Sequence, residues 1–228
     1  MRTGILGGTF NPIHYGHLRP AEEVREALGL EQVRFIPLAA PPHKREEDIA
    51  PENDRLEMVR LALADHPFFV CDPIEIERGG VSYTIDTLTA LAEGDCRGHE
   101  LYFIIGADAF SLLDTWREPL EVLRKANFAV TLRGDQNALE VVNTVKSRLN
   151  EIDVSIKLNQ INDNDFQVVN YQKIINFVSV TTLDISATKI RQLAHVGASL
   201  RYLLPPQVEA FIIRRGLYGS KGQATAQR

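Results

Sequence analysis

The stretch GGTFNPIHYGH, residues 7 to 17, decides the fold, because it joins a glycine turn to a histidine pair between a strand and a helix. Upstream, Thr3 to Leu6 reads as a short strand. Downstream, His17 to Leu28 reads as a helix, with Leu18, Ala21, Val24, Ala27 and Leu28 recurring at roughly 3.6-residue spacing. Gly7 and Gly8 let the backbone turn tightly and approach a ligand. The unpaired N–H groups that open the next helix favour an anion, through hydrogen bonds and the helix dipole. Pro20 is expected in the first turn, where its missing N–H has no intrahelical partner. The run predicts a phosphate-binding strand-to-helix turn.

His14 and His17 flank Gly16, so both imidazoles can face one pocket and donate to phosphate oxygens. A lone histidine is more often an ordinary surface or core residue. The pair directly after Gly-Gly-Thr favours the functional reading. Zinc fits less well: the helical zinc signature has histidines at i and i+4 around a glutamate, and no Cys or third ligand lies nearby.

Around this turn, strand-like apolar runs alternate with amphipathic segments. Gln32 to Ile36, Phe68 to Cys71, Leu101 to Ile105 and Phe128 to Leu132 read as strands, and Glu52 to Ala64 and Ile85 to Ala92 as helices. Continuous apolar strands separated by helices imply an α/β protein with a parallel sheet covered on both faces and ligands beyond the carboxyl ends of its strands. A chain of 228 residues suits a single domain over 1–218 with an excursion at about 135–183 and a flexible tail at 219–228. The excursion holds a helix-like stretch Leu139 to Leu149, an alternating stretch Ile152 to Leu158, and an Asn-rich polar run. It reads as a surface excursion extending the sheet; the alternative is an oligomer contact or a lid.

The formal net charge of −5 argues against a general nucleic-acid surface. Cys71 and Cys96 suit free thiols in a reducing compartment. With no signal peptide or apolar stretch of membrane-spanning length in view, the expectation is a soluble cytoplasmic protein with no membrane partner.

Four further stretches carry candidate chemistry. ISATKIR, 185 to 191, places Ser186 as the cap of a helix carrying Ile190 and Leu193, with Thr188 and Arg191 near its first turn. That is either a second anion site or an ordinary capped helix. PPHK, 41 to 44, presents His43 and Lys44 on a stiff turn, and SYTIDTL, 82 to 88, enters a helix with Ser82 or Thr84 as its cap. FIIGADAFSLLDTW, 103 to 116, is a buried strand ending at Gly106, followed by Asp108, which can accept from ribose hydroxyls, and by the only Trp.

H-x-G-H after G-G-T-F, with ISATKIR matching I-S-(S/A)-T-x-I-R, resembles the nucleotidyltransferase superfamily. Together with PPHK, SYTIDTL, the GAD run before Trp116 and the closing RYLLPPQVEAFIIRRGLY, the chain resembles bacterial nicotinate-nucleotide adenylyltransferases over most of 1–134 and 184–218. The resemblance implies a Rossmann-like doubly wound sheet with a small C-terminal helical segment. It also implies transfer of the adenylyl group of ATP to nicotinate mononucleotide, giving deamido-NAD and pyrophosphate, with Mg²⁺ on the ATP phosphates. On this resemblance His14 and His17 are catalytic, and ATP is held by Gly8, Thr9, Phe10, His14, His17, Gly106, Asp108, Ile185, Ser186, Thr188 and Arg191. Lys44, Tyr83, Thr84, Trp116 and Arg133 meet the mononucleotide.

Two departures stand out. Position 11 is Asn where the family often has Asp, and 135–183 is longer than the family usually allows. Sister enzymes acting on the amidated mononucleotide or on pantetheine phosphate share both phosphate motifs, though Trp116 with SYTIDTL favours a pyridine ring over pantetheine. A non-catalytic nucleotide-binding regulator fits poorly with intact His14, His17, Ser186 and Arg191. A synthetase-like ligase needs a tRNA-binding surface and an added domain, and neither is visible.

Overall fold

Apolar runs of strand length separated by helices pair with one another when each run must be covered on both faces. The computed structural model, which describes residues 1–40 and 49–220, follows that rule. In chain order the elements are β1 (Arg2–Gly8), α1 (Tyr15–Leu28), β2 (Gln32–Pro37), α2 (Glu52–Leu63), β3 (Phe69–Cys71), α3 (Ile74–Arg78) and α4 (Thr84–Glu93). They continue with β4 (Glu100–Gly106), α5 (Ala107–Phe110), α6 (Pro119–Lys125), β5 (Asn127–Leu132), α7 (Ala138–Ile152), β6 (Leu158–Gln160), β7 (Asp165–Val168), β8 (Lys173–Ser179), α8 (Ala187–His195) and α9 (Pro206–Arg215). One eight-stranded sheet has the order β3-β2-β1-β4-β5-β8-β7-β6. Its strand order reverses at β1, the hallmark of a doubly wound Rossmann-like sheet.

The pairs β1–β4, β4–β5 and β5–β8 are parallel, with Thr3 opposite Leu101, Phe103 opposite Phe128 and Val130 opposite Phe177. All six residues of β5 are buried, which explains why NFAVTL is apolar with little alternation. Past β8 the sheet turns antiparallel through β7 and β6.

The stretch 135–183 does extend the sheet, but it is more than a surface excursion. β8 lies between β5 and β7 as an inner strand, with Ile175 and Phe177 buried. Asn137 caps α7 by accepting from the Leu139 and Glu140 N–H groups, and Val142, Val145 and Leu149 are buried along it. Of the alternating stretch from Ile152 to Leu158, Ile152 ends α7 and Leu158 begins β6, which runs to Gln160. The Asn-rich run has a local cause. Asn162 Oδ1 accepts from the Asn164 and Asp165 N–H groups, an Asx turn that closes the β6–β7 hairpin.

α1 begins two residues earlier than its periodicity suggests. Pro20 therefore sits inside the helix rather than in its first turn, and Gly16 has no N–H four residues on to accept.

The chain divides into two compact units. The first comprises Met1–Leu6, Pro20–Arg34 and Ser82–Thr182, and in its core Phe110 lies 5.1 Å from Phe128 and 6.3 Å from Phe177. The second comprises Gly7–Arg19, Phe35–Val81 and Leu183–Arg228, with Phe10, Phe35, Met58 and Ile212 buried. There an ion pair joins α2 to α9: Arg215 Nε donates to buried Asp54 at 3.0 Å. No helix among the described residues is long and apolar enough to cross a membrane.

Candidate active site

In the second unit the loop leaving β1 is held from several sides. The Leu38 N–H donates to the Gly8 carbonyl at 3.0 Å. Phe10 follows with φ 46°, a left-handed conformation unusual for a bulky residue, and its ring is buried. A Cβ on Gly8 would lie 2.9 Å from that ring, which accounts for glycine there.

Asn11 is the junction of the loop. Its Oδ1 accepts from the Ala50 N–H at 3.0 Å and from the Tyr218 hydroxyl at 2.8 Å, while its carbonyl accepts from Arg191 Nη1 at 2.9 Å. Arg191 Nη2 also donates to Thr188 Oγ1 at 3.3 Å. The glycine-histidine run and ISATKIR are thus tied together within one unit. A neutral amide suits this buried place better than a carboxylate, whose burial costs far more. Burial raises the Tyr218 phenol above its ordinary range, keeping it a hydroxyl donor to Asn11.

The histidine pair is ordered by its own backbone. The His14 carbonyl accepts from the His17 and Leu18 N–H groups at 2.8 and 3.2 Å, starting α1. The His14 N–H in turn donates to His17 Nδ1 at 3.3 Å. An Nδ1 that accepts leaves the ring proton of His17 on Nε2, so His17 offers Nε2–H as a donor. The two rings lie against each other at a tilt of 30°, with centroids 3.8 Å apart, and Phe10 meets His17 edge-on at 5.3 Å. Gly16 makes this possible: a Cβ there would lie 2.9 Å from the His14 ring and 3.1 Å from the Ile185 carbonyl oxygen. Ser186 caps α8 as expected, accepting from the Lys189 N–H at 3.2 Å. Beside Arg191 opens a cavity of about 480 Å³, bounded also by Ala50, His195 and Tyr218.

Sequence reading missed Arg55. It is 1% exposed on α2, and it donates to three carbonyls: Ala50 from Nε at 3.1 Å, Thr9 from Nη1 at 2.9 Å and Ala39 from Nη2 at 2.9 Å. Burial lowers its pKa, partly offset by Glu52. In ENDRLEMVRLAL an arginine reads as a solvated helix face, so no local signal marks it.

The first unit holds the remaining candidates. Gly106 ends β4 and precedes Asp108 in α5. Asp108 is exposed and accepts from Gln136 Nε2 at 2.9 Å, while Gln136 Oε1 accepts from the Arg133 N–H at 2.9 Å. Gln136 thereby links Asp108 to the exposed Arg133, a role its sequence neighbourhood did not disclose. Trp116 is half-buried and sets its edge against Phe103, with centroids 5.8 Å apart. Tyr83, rather than Ser82 or Thr84, occupies the cap position of α4, and no side chain caps it. Thr84 is the first residue of that helix. The Arg117 guanidinium lies 4.8 Å from the Tyr83 ring centroid and 3.6 Å from Asp86, a second arginine that the motifs did not flag.

Lys44 and the rest of PPHK lie outside the described residues. Neither Cys71 nor Cys96 is in a disulfide, and burial pushes the Cys71 thiol up to about 11, which makes it a poor nucleophile.

A family model described as cytidylyltransferase-like matches residues 5–193. A probable nicotinate-nucleotide adenylyltransferase of Pelobacter propionicus is 40% identical over 222 residues, covering 96% of this chain and 98% of the relative. Another, from Desulfatibacillum aliphaticivorans, is 41% identical over 218 residues, covering 96% of this chain and 100% of the relative. Among solved structures, the Plasmodium falciparum nicotinic acid mononucleotide adenylyltransferase complexed with NaAD has a TM-score of 0.71 at 15% identity, covering 96% of this chain and 98% of that one. At that identity the likeness is one of fold. The two bacterial relatives match along nearly their whole length, and the loop, the histidine pair and the capped ISATKIR helix all lie within the matched span; this chain belongs to the nicotinate-nucleotide adenylyltransferase family.

Proposed function

We propose that the chain transfers the adenylyl group of ATP to nicotinate mononucleotide, forming nicotinate adenine dinucleotide and pyrophosphate in NAD biosynthesis. The observation that carries this reading is the close His14–His17 pair, with His17 held as an Nε2–H donor, in a chain of this family. A mononucleotide 5′-phosphate oxygen attacks the α-phosphorus of ATP in line, the bond to the bridging oxygen breaks, and pyrophosphate leaves. The nucleophile is already ionised near neutral pH, so no residue needs to remove a proton. The protein's part is alignment and charge stabilisation.

In this reading Gly8, Thr9, Phe10, His14, His17, Ile185, Ser186, Thr188 and Arg191 serve the ATP phosphates, and Gly106 and Asp108 its ribose side. Tyr83, Thr84, Trp116, Arg133 and Lys44 serve the mononucleotide. Mg²⁺ is proposed to enter on the ATP phosphates, where it neutralises their charge. Among the described residues no group of three or more His, Cys, Asp or Glu side chains is arranged to hold a metal. The donors around the loop are imidazole, guanidinium, hydroxyl and amide, which suit phosphate oxygens. A cytoplasmic location belongs to the same proposal, supported by the unbridged thiols Cys71 and Cys96.

The test is pyrophosphate release from ATP with nicotinate mononucleotide, nicotinamide mononucleotide and phosphopantetheine in parallel. Release with the nicotinate acceptor at the highest kcat/KM is expected; no release with any acceptor sinks the enzymatic reading. Trp116→Ala should raise KM for nicotinate mononucleotide about 5- to 150-fold, since aromatic stacking on a ring is worth roughly 1–3 kcal/mol. KM for ATP should change little. Equal loss for both substrates in a fully folded variant would instead show that Trp116 only packs on Phe103.

A further inference from the structure

Arg55 is a buried cation with no role in the chemistry above, and its bonds reach directly behind the phosphate loop. Its Nη1 holds the Thr9 carbonyl at 2.9 Å. The Thr9–Phe10 peptide is trans, since the only cis bond among the described residues is Asn11–Pro12. In a trans peptide the C=O and N–H point in opposite directions. With the Thr9 carbonyl held on Arg55, the Phe10 N–H is therefore aimed away from it. That N–H meets no acceptor among the described residues. The left-handed φ of Phe10 needs such restraint to persist, and two further anchors flank it: the Gly8 carbonyl on the Leu38 N–H, and the Asn11 carbonyl on Arg191.

We infer that Arg55 is a positioning residue for adenylyl transfer, which fixes the Phe10 backbone N–H as a preorganised donor to the charge developing on the phosphates. The inference rests on the proposed adenylyl transfer. Guanidinium is required because three carbonyls, of Thr9, Ala39 and Ala50, surround one side chain and are met by three donors spread over a rigid plane. A lysine ammonium is a compact point charge and cannot reach all three in those directions.

Arg55→Lys keeps the charge and removes the fork. Its kcat should fall about 10- to 100-fold, somewhat less than outright removal of an oxyanion donor, while KM for ATP and for nicotinate mononucleotide changes less than about threefold. Arg215→Met is the matched control, because it breaks the Asp54 ion pair on the same helix without touching the loop. It should lower Tm and leave kcat at the wild-type value. An Arg55→Lys protein that folds and keeps kcat within about threefold overturns the inference, as does a loss confined to KM. Should Arg55→Lys fail to fold, wild-type protein labelled with ¹⁵N-Phe decides the matter by titration with inorganic pyrophosphate. A shift of the Phe10 amide resonance supports the assignment, and an unmoved resonance at saturation overturns it. A wild-type protein that releases no pyrophosphate defeats the proposed function itself; an active wild type with an unimpaired Arg55→Lys defeats only this inference.

Discussion

His17→Ala lowers turnover about 10²- to 10³-fold while KM for nicotinate mononucleotide stays within a few-fold of wild type, the signature of a donor used chiefly in the transition state. The geometry makes His17 such a donor. Its Nδ1 is occupied by the His14 N–H at 3.3 Å, so the ring is neutral in this arrangement and its proton sits on Nε2. The adjoining His14 ring, centroids 3.8 Å away, and the edge of Phe10 at 5.3 Å hold the plane of the imidazole before any ligand arrives. A donor held in place in this way need not reorganise as charge grows on the α-phosphate and the departing pyrophosphate. A side-chain amide of similar reach, in His17→Gln, retains an N–H and should recover part of the loss. Parallel single-turnover and steady-state measurements check this, and a near-normal kcat in the alanine variant removes His17 from the mechanism.

The features legible in the sequence share one property: each is local. The GGTFNPIHYGH turn, the cap at Ser186 and the apolar strand at residues 128–132 depend on neighbours within a few positions, and the structure forms all of them. What stayed hidden depends on distant partners. Arg55 reads as a surface charge on an amphipathic helix until Thr9 and Ala39 close around it. Gln136 is a polar loop residue until Asp108 accepts from it across 28 positions. β8 lies in a stretch that matches no motif and so reads as part of an excursion, yet pairing with β5 makes it interior. Asn11 illustrates the same limit from the other side. Judged by family pattern it is a lost carboxylate, whereas its surroundings supply two donors, from Ala50 and Tyr218, that a neutral amide oxygen satisfies while buried.

Gly16→Ala sets two opposing effects against each other, and their magnitudes decide the outcome. Gly16 lies within α1, where alanine is ordinarily favoured over glycine by about 1 kcal/mol. Against that, the new Cβ would sit 2.9 Å from both Nδ1 and Cε1 of His14 and 3.1 Å from the backbone oxygen of Ile185. Neither neighbour yields cheaply: His14 is 5% exposed and packed against the His17 ring, and Ile185 directly precedes the Ser186 cap of α8. Overpacking at such a site costs roughly 1–3 kcal/mol, so steric strain at least cancels the helix gain and exceeds it by up to about 2 kcal/mol. For a chain of this size that corresponds to a Tm lower by up to about 8 °C. The effect on rate should be larger than the effect on stability. Relief of the clash must displace the His14 ring, and with it the ring contact that orients His17, or part Gly16 from Ile185. A displacement on the order of 1 Å in a positioned site costs about 10²-fold. Thermal unfolding and kcat measured on the same preparation separate the two contributions. A variant with a raised Tm and wild-type turnover is the result helix propensity alone predicts, and it would show that the approach of Gly16 to the His14 ring is not what holds the histidine pair in register.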